Sequence, residues 1–416
     1  MSTNRRTLLA GAAASAAIGT GIGGLPWRSA RAQAANTMRI GAIVDLSGMY
    51  RDITGQTSVA AARQAVQDFG PRGFNVEVLG ADQQNKPDVG VNVARTWFDR
   101  EGVDCLVDVS TSSVALAVND LVRERNKVHI NSSAATSDLT GRACTPNTVH
   151  WTYDTYMLAK STGAATVRAG GDTWFFLTAD YAFGHALERD TAQFVRAAGG
   201  RVLGSLRTPF PGTSDFSSFL VQAQASRAKV IGLANAGADT TNCIKQAAEF
   251  GLMRRGIKLA SLLMFTTDVH ALGLATTQGL LLSETFYWDL NERTRAWTQR
   301  MRSQVGPSVG LTMCQAGTYG ATLHYLKAVQ DMGVPAAKAS GAEAVARMKA
   351  IPCDDDCFGP GTIRADGRKL HPAYLFEVKR PEESRGPWDY YKLLQTTPAE
   401  EAFRPLAEGG CAFVRS

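Results

Sequence analysis

The sequence predicts an α/β protein of two lobes, each built on a parallel sheet. Three observations carry that prediction. From residue 38 onward, short apolar runs alternate with longer stretches whose apolar residues recur at helical spacing. Strands separated by helices give parallel sheets joined by right-handed crossovers. The scheme occurs twice, once ending near 150 and again from near 156, and a chain of 416 residues suits two domains.

The elements follow in order. Residues 38–45 read as a strand, and 46–57 as the loop after it. A helix over 59–69 is set by Val59, Ala62, Val66 and Phe69, and Gly70-Pro71 stops it. Strands at 74–80, 103–109 and 128–131 alternate with helices at 89–100 and 114–125. In the second block, strands at 173–178, 201–206, 230–233 and 258–265 alternate with helices near 184–198, 216–226 and 240–250. Beyond them lie a strand over 279–288, helices near 294–304 and 316–332, and a hairpin over 361–378 turning at Asp366-Gly367. Residues 380–416, rich in Pro, Gly and charge, read as a tail over the surface. Periodicity does not choose between two beads on a string and a chain that crosses back to build a hinge.

The first 34 residues read as an export signal. Arg5-Arg6 precede a weakly apolar stretch rich in Ala and Gly, and Ala32-Gln33-Ala34 has the small-residue pattern of a cleavage site. The arginine pair points to the twin-arginine route, and Arg28 and Arg31 suit it. A membrane anchor would need about 20 strongly apolar residues. Gly19-Thr20-Gly21-Ile22-Gly23-Gly24 spells a dinucleotide fingerprint, but that motif needs a strand before it and a helix after it. Loss of the acid-free leader removes four arginines from a formal charge of +6 and leaves +2. That near balance gives no support to nucleic-acid binding, which needs a clustered basic face.

Seven cysteines leave at least one unpaired within a monomer. Cys353-Asp-Asp-Asp-Cys357 is the one local pair, and it could close a disulfide loop or hold a metal. With no His nearby, the disulfide is favoured, because structural zinc takes four N or S ligands. Cys105 and Cys243 read as small buried residues.

Two loops are rich in donors. Ser112 and Ser113 open the helix at 114–125, where free backbone N–H groups and a hydroxyl suit a carboxylate. Ala134, Ala135 and Thr136 form a second strand-end loop able to close on the same anion. Plain helix capping is the alternative role for these residues.

An ordered set of short motifs carries a family resemblance: Asp45-Leu46-Ser47-Gly48, Thr111-Ser112-Ser113, Ser133-Ala134-Ala135-Thr136, 178–184 (TADYAFG) and 361–367 (GTIRADG). In this order over residues 38–380 the chain resembles the branched-chain amino-acid-type solute-binding proteins of ABC importers, the type I periplasmic binding proteins. The resemblance implies two Rossmann-like lobes, 36–155 plus 285–355 and 156–284 plus 356–416, joined by three hinge strands around a ligand cleft. It implies a monomeric periplasmic receptor without cofactor, which closes on a small carboxylate and docks on ABC permease subunits. It also places Tyr181 as a ring over the ligand from the second lobe.

Departures from the family pattern bear on the ligand. Amino-acid binders of this family hold the ammonium with an acid of the second lobe. Here Asp268 is the nearest candidate, with Asp239 in reserve. Residues 234–237 (ANAG) are small where the family often has Tyr, while Tyr50, Trp151, Tyr153, Tyr181 and Trp288 gather at expected cleft edges. Phe286 reads as core. The pattern keeps aromatic carboxylates level with aliphatic amino acids. A ligand sensor using the same lobes is an alternative, and an exported enzyme another. The sequence carries no H-E-x-x-H, G-x-S-x-G, P-loop or C-x-x-C motif, and its six histidines have no ligand spacing.

Overall fold

Strand β1 (Thr37–Val44) lies inside the first sheet and is buried along nearly its whole length, so it reads as a continuous apolar run. With β2 (Asn75–Asp82), β3 (Cys105–Asp108), β4 (Val128–Asn131) and β5 (Thr148–His150) it forms a parallel sheet of order β2-β1-β3-β4-β5. The crossovers run through helices α1 (Gly55–Phe69), α2 (Pro87–Thr96) and α3 (Ser112–Glu124). The computed structural model describes residues 36–414. The export signal, its arginine pair and its glycine run lie outside the described residues.

The second sheet repeats the plan. Strands β6 (Thr173–Ala179), β7 (Arg201–Thr208), β8 (Val230–Ala234) and β9 (Lys258–Ser261) pair in parallel in the order β7-β6-β8-β9. Helices α4 (Ala182–Ala197), α5 (Ser217–Ala225) and α6 (Ala238–Glu249) connect them. The motif glycine Gly184 has a steric reason: a Cβ there would lie 2.1 Å from the carbonyl oxygen of Ala179, so only glycine allows the tight exit from β6.

After α7 (Thr266–Leu272) and β10 (Leu281–Glu284), the chain returns to the first lobe. Helices α8 (Glu292–Val305) and α9 (Met313–Met332) pack against α1, and Thr318 of α9 donates to Asp108 at the end of β3 (3.2 Å). Strands β11 (Cys353–Asp355), β12 (Gly359–Ile363) and β13 (Lys369–Leu370) form a small antiparallel sheet. Strand β14 (Ala373–Val378) then pairs antiparallel with β10, β15 (Tyr391–Thr397) pairs with β14, and their buried side chains join the core of the second sheet. The chain therefore crosses between the lobes, which excludes the arrangement of two beads on a string.

Several expected elements are shorter or differently partnered. The strand expected over 258–265 ends at Ser261, and only Leu281–Glu284 of 279–288 is extended. The hairpin does turn at Asp366-Gly367, with Gly367 at φ 85°, but Pro372 interrupts it and β14 pairs elsewhere. The supposed surface tail contains β15 and the buried rings of Trp388, Tyr390 and Tyr391. The expected Cys353–Cys357 disulfide is absent: both thiols are free and buried. Asp355 holds that turn instead, its Oδ1 accepting from the N–H groups of Cys357 and Phe358 (2.9 and 2.8 Å). The disulfide that forms joins Cys144 to Cys411, 267 residues apart. Cys105 and Cys243 are buried, as expected.

Candidate ligand-binding site

The C-terminal ends of the central strands of both sheets meet at a cavity, the usual place for a ligand in open α/β sheets. The space between its walls is about 310 Å³ with open solvent included, of which about 20 Å³ admits the centre of a water-sized sphere. From the first lobe it is lined by Tyr50, Ile53, Thr54, Ser110, Ser112, Ser133, Ala135 and Tyr153, with Cys314 from α9. From the second come Tyr181, Phe183, Ala236, Leu263 and Phe265.

Hydroxyl donors cluster on the first lobe, and the fold leaves their protons free. Ser110 Oγ accepts from Gln83 Nε2 (2.8 Å), and Ser112 Oγ accepts from the Thr136 N–H (3.2 Å). A serine that accepts from protein still carries its own O–H to donate. Gln83 also reaches Thr111, which donates to Asn85, which in turn donates to Asp45, so the loop before α3 is fixed by buried polar groups. The N-cap Thr111 gives no side-chain cap, which leaves the positive end of α3 open towards Ser112. Ser133 Oγ has no bond of good geometry, although it lies beside Asp108 and Cys314, whose pKa values burial raises and Ser133 only partly offsets. Its carbonyl accepts from Tyr153 Oη (2.6 Å), which sets the ring against Phe265 edge-on.

The opposite wall is aromatic. Tyr50 Oη and Tyr181 Oη share a hydrogen bond of 2.7 Å across the two lobes, and Tyr181 stacks on Phe210 with ring centroids 3.8 Å apart. Gly237 makes this approach possible: with φ at 58°, a Cβ there would lie 2.9 Å from the carbonyl oxygen of Met49 and 3.0 Å from the Tyr50 ring. No lining residue is an acid or a base. The ionisable ones, Tyr50, Tyr153, Tyr181 and Cys314, are pushed up by burial and stay neutral.

Of the residues singled out in the sequence, Ser112, Ala135, Tyr50, Tyr153 and Tyr181 are brought together here. The others are placed elsewhere. Ser113 is not on the cavity wall. Ala134 is closed off by Asn131, which bonds both its N–H and its C=O. Thr136 caps a short turn by accepting from the Asp138 N–H (3.3 Å). Trp151 is fully buried under Lys369, whose Nζ lies 4.8 Å from its ring centre. Trp288 donates to the Trp388 carbonyl (2.6 Å) and is off the cavity wall; residues 286–288 lie beyond the end of β10 and do not alternate across it. Phe286 is core, edge-on to Trp297. Asp268 points back to its own helix, accepting from the Phe265 N–H (2.9 Å). Sequence reasoning missed Ser110 and Phe183, although both adjoin or belong to the quoted motifs. It also missed Leu263, Phe265 and Cys314, which look like ordinary core residues in sequence.

Two parallel-sheet lobes that close on a small cavity with donors on one wall and rings on the other define a solute-binding protein. The sequence matches the profile of a family described as periplasmic binding protein over residues 37–386. The chain belongs to that family. A periplasmic binding protein from Burkholderia mallei shares 49% identity, with a TM-score of 0.87 over 92% of this chain and 100% of the other. A branched-chain amino acid ABC transporter periplasmic ligand-binding protein from Burkholderia xenovorans shares 38%, with a TM-score of 0.79 over 90% and 99%. An R. palustris solute-binding protein in complex with 4-hydroxybenzoate has the same fold at 22% identity, with a TM-score of 0.77 over 88% and 98%. Among curated proteins none matches significantly. The chain is thus homologous to the periplasmic solute-binding proteins of ABC transporters, which are receptors rather than enzymes. Among the described residues no helix is long and apolar enough to cross a membrane.

Proposed function

We propose that this protein is the periplasmic receptor of an ABC importer, and that its ligand is a small aromatic carboxylate without an amine. One observation carries the ligand class: the cavity wall offers neutral donors and rings but no carboxylate. An amino acid would bring an ammonium group into this site, and a desolvated charge without a partner is costly. A carboxylate needs no cation here, since Ser110, Ser112, Ser133 and the open end of α3 supply neutral donors. The rings of Tyr50, Tyr153, Tyr181 and Phe265 suit a flat ligand. The reading includes lobes of 36–155 plus 285–355 and 156–284 plus 356–416, hinge closure on the ligand, docking of a monomer on permease subunits, and export by the twin-arginine signal.

Calorimetry of the mature protein with benzoate, 4-hydroxybenzoate, leucine, isoleucine and valine tests it. Binding of the benzoates but not the aliphatic amino acids is expected. Submicromolar leucine binding with no response to either benzoate overturns it.

A further inference from the structure

Two hydroxyls on the cavity wall have no hydrogen-bond partner among the described residues, Ser133 Oγ and Thr54 Oγ1. Ser133 belongs to the cluster that suits the carboxylate. Thr54 does not, and the fold gives its side chain no other task. It is 2% exposed and stands at the N-cap of α1, where a threonine normally accepts from a backbone N–H of the first turn. Here no such cap forms. The loop is held through its main chain instead. Gln315 Nε2 donates to the carbonyls of Ile53 and Thr54 (2.8 and 3.4 Å), and Thr312 Oγ1 donates to that of Ile53 (2.9 Å). Thr54 Oγ1 is left unpaired on the wall, and a buried hydroxyl in that condition is costly.

Topology sets Thr54 apart from the carboxylate donors. Strands β1 and β3 are neighbours whose connections run opposite ways, β1 to β2 and β3 to β4. Helices α1 and α3 therefore start on opposite faces of the sheet, with the cavity at the switch point between them. Ser110 and Ser112 follow β3, and Ser133 follows β4. Thr54 follows β1, one to two strand spacings away, or about 5–10 Å. A single benzene ring spans such a gap. The start of α1 also carries partial positive charge, which favours an oxygen with lone pairs over an ammonium. We infer that Thr54 is a specificity-determining residue that donates to an oxygen carried on the ring, meta or para to the carboxylate, so that the preferred ligand is a hydroxylated aromatic carboxylate. This rests on the aromatic-carboxylate reading above and narrows it. A neutral hydroxyl leaves the wall without an acid, so an ammonium still finds no partner there.

The test is calorimetry with 3-hydroxybenzoate, 4-hydroxybenzoate, the two matching methylbenzoates and benzoate on the wild-type protein, Thr54→Val and Thr54→Ser, beside thermal melts without ligand. A site built to bond a hydroxyl discriminates strongly against analogues that lack it. At least one hydroxybenzoate should bind the wild type at least about tenfold more tightly than its methyl counterpart. Valine keeps the shape of threonine without the hydroxyl, so the preference should fall to about threefold or less in Thr54→Val, with benzoate affinity changed by less than about twofold. Thr54→Ser should keep the preference. Thr54→Val should melt no lower than the wild type, because the hydroxyl it removes has no partner in the protein; loss of a capping residue would lower the melt.

A wild type without hydroxyl preference, or a preference that survives in Thr54→Val, overturns the inference while leaving the aromatic-carboxylate reading intact. So does an equal loss of benzoate and hydroxybenzoate affinity in Thr54→Val, which would put Thr54 on the carboxylate. Binding of leucine with no binding of any benzoate overturns both.

Discussion

Removing one hydroxyl of the Tyr50–Tyr181 pair should disturb closure more than removing both. The two oxygens are 2.7 Å apart and come from different lobes, so their bond exists only when the cleft is shut. Tyr50 is 5% exposed, and Tyr181 is partly covered by Phe210. In Tyr181→Phe, the buried hydroxyl of Tyr50 loses its partner, at a cost of about 1–3 kcal/mol. In Tyr50→Phe, the orphan is the less covered Tyr181, and the loss should approach the net worth of a hydrogen bond, about 0.5–1.5 kcal/mol. The double Phe variant leaves no orphan. If ligand binds the closed form, apparent affinity falls with the closed population. Tyr181→Phe should then weaken 4-hydroxybenzoate binding about tenfold, which corresponds to about 1.4 kcal/mol. Tyr50→Phe should lose less, and the double variant should recover to within about threefold of the wild type, near 0.7 kcal/mol. Calorimetry on the four proteins measures the coupling, and small-angle scattering reports whether the unliganded single variants expand. Losses that simply add, with no change in radius of gyration, would refute the reasoning, because each tyrosine would then be acting on the ligand independently.

Other consequences can be checked in parallel. Ser112→Ala and Ser133→Ala should each weaken a benzoate by roughly 1.5–3 kcal/mol, the worth of a hydrogen bond to a charged group, whereas Thr136→Ala should cost about 1 kcal/mol of stability as a lost cap; calorimetry and denaturant melts separate the two effects. Asp268→Asn should leave affinity nearly unchanged, since the amide oxygen can still accept from Phe265; a tenfold loss would restore Asp268 as a ligand residue. Burial raises Asp108 to about 6 and Asp239 and Asp268 to about 7. The folded protein then holds these protons more tightly than the unfolded chain, so stability should decline as pH rises from about 4 to 7 and level off above. A melting temperature that climbs over that range contradicts the assignment. For Cys411→Ser, the entropy of a 267-residue loop sets a ceiling near 5.6 kcal/mol, and about 2–4 kcal/mol is expected. Protease should then cut first within residues 398–411.

The alternation of strand and helix was readable because parallel strands buried on both faces, such as β1, leave long apolar runs. What failed were features set by tertiary partners. The segment 286–288 has strand composition, yet Phe286 packs on Trp297 of the next helix, and Tyr287 and Trp288 bond Trp388 far along the chain. Cys353 and Cys357 are near in sequence, but a carboxylate does the work expected of a disulfide there. The cavity was legible at Ser112 and Ala135, which stand in donor-rich loops just after strands β3 and β4. It was illegible where an apolar residue lines it, since nothing in Leu263 or Phe265 separates a ligand wall from a core. Asp268 was credited with reaching the ligand because an acid stood in the expected stretch; the backbone N–H three residues earlier is simply closer.

The Cys144–Cys411 bond alters the mechanics of the cleft. Strand β15 is anchored in the second lobe's core, while Cys411 is welded to the segment before β5 in the first, with Arg404 gripping the Ser137 carbonyl on the way (2.8 Å). Residues 398–410 are thus a strap that ties β15, in the core of the second sheet, to Cys144 beside the first. At about 3.3–3.6 Å per residue, even a fully drawn strap of 13 residues spans no more than about 47 Å, and its short helical turns make it shorter. Opening is therefore the flexing of a closed ring, with a built-in stop and resistance to torsion between the lobes. Reduction of that one bond would remove the stop and leave the widest opening limited by the hinge alone.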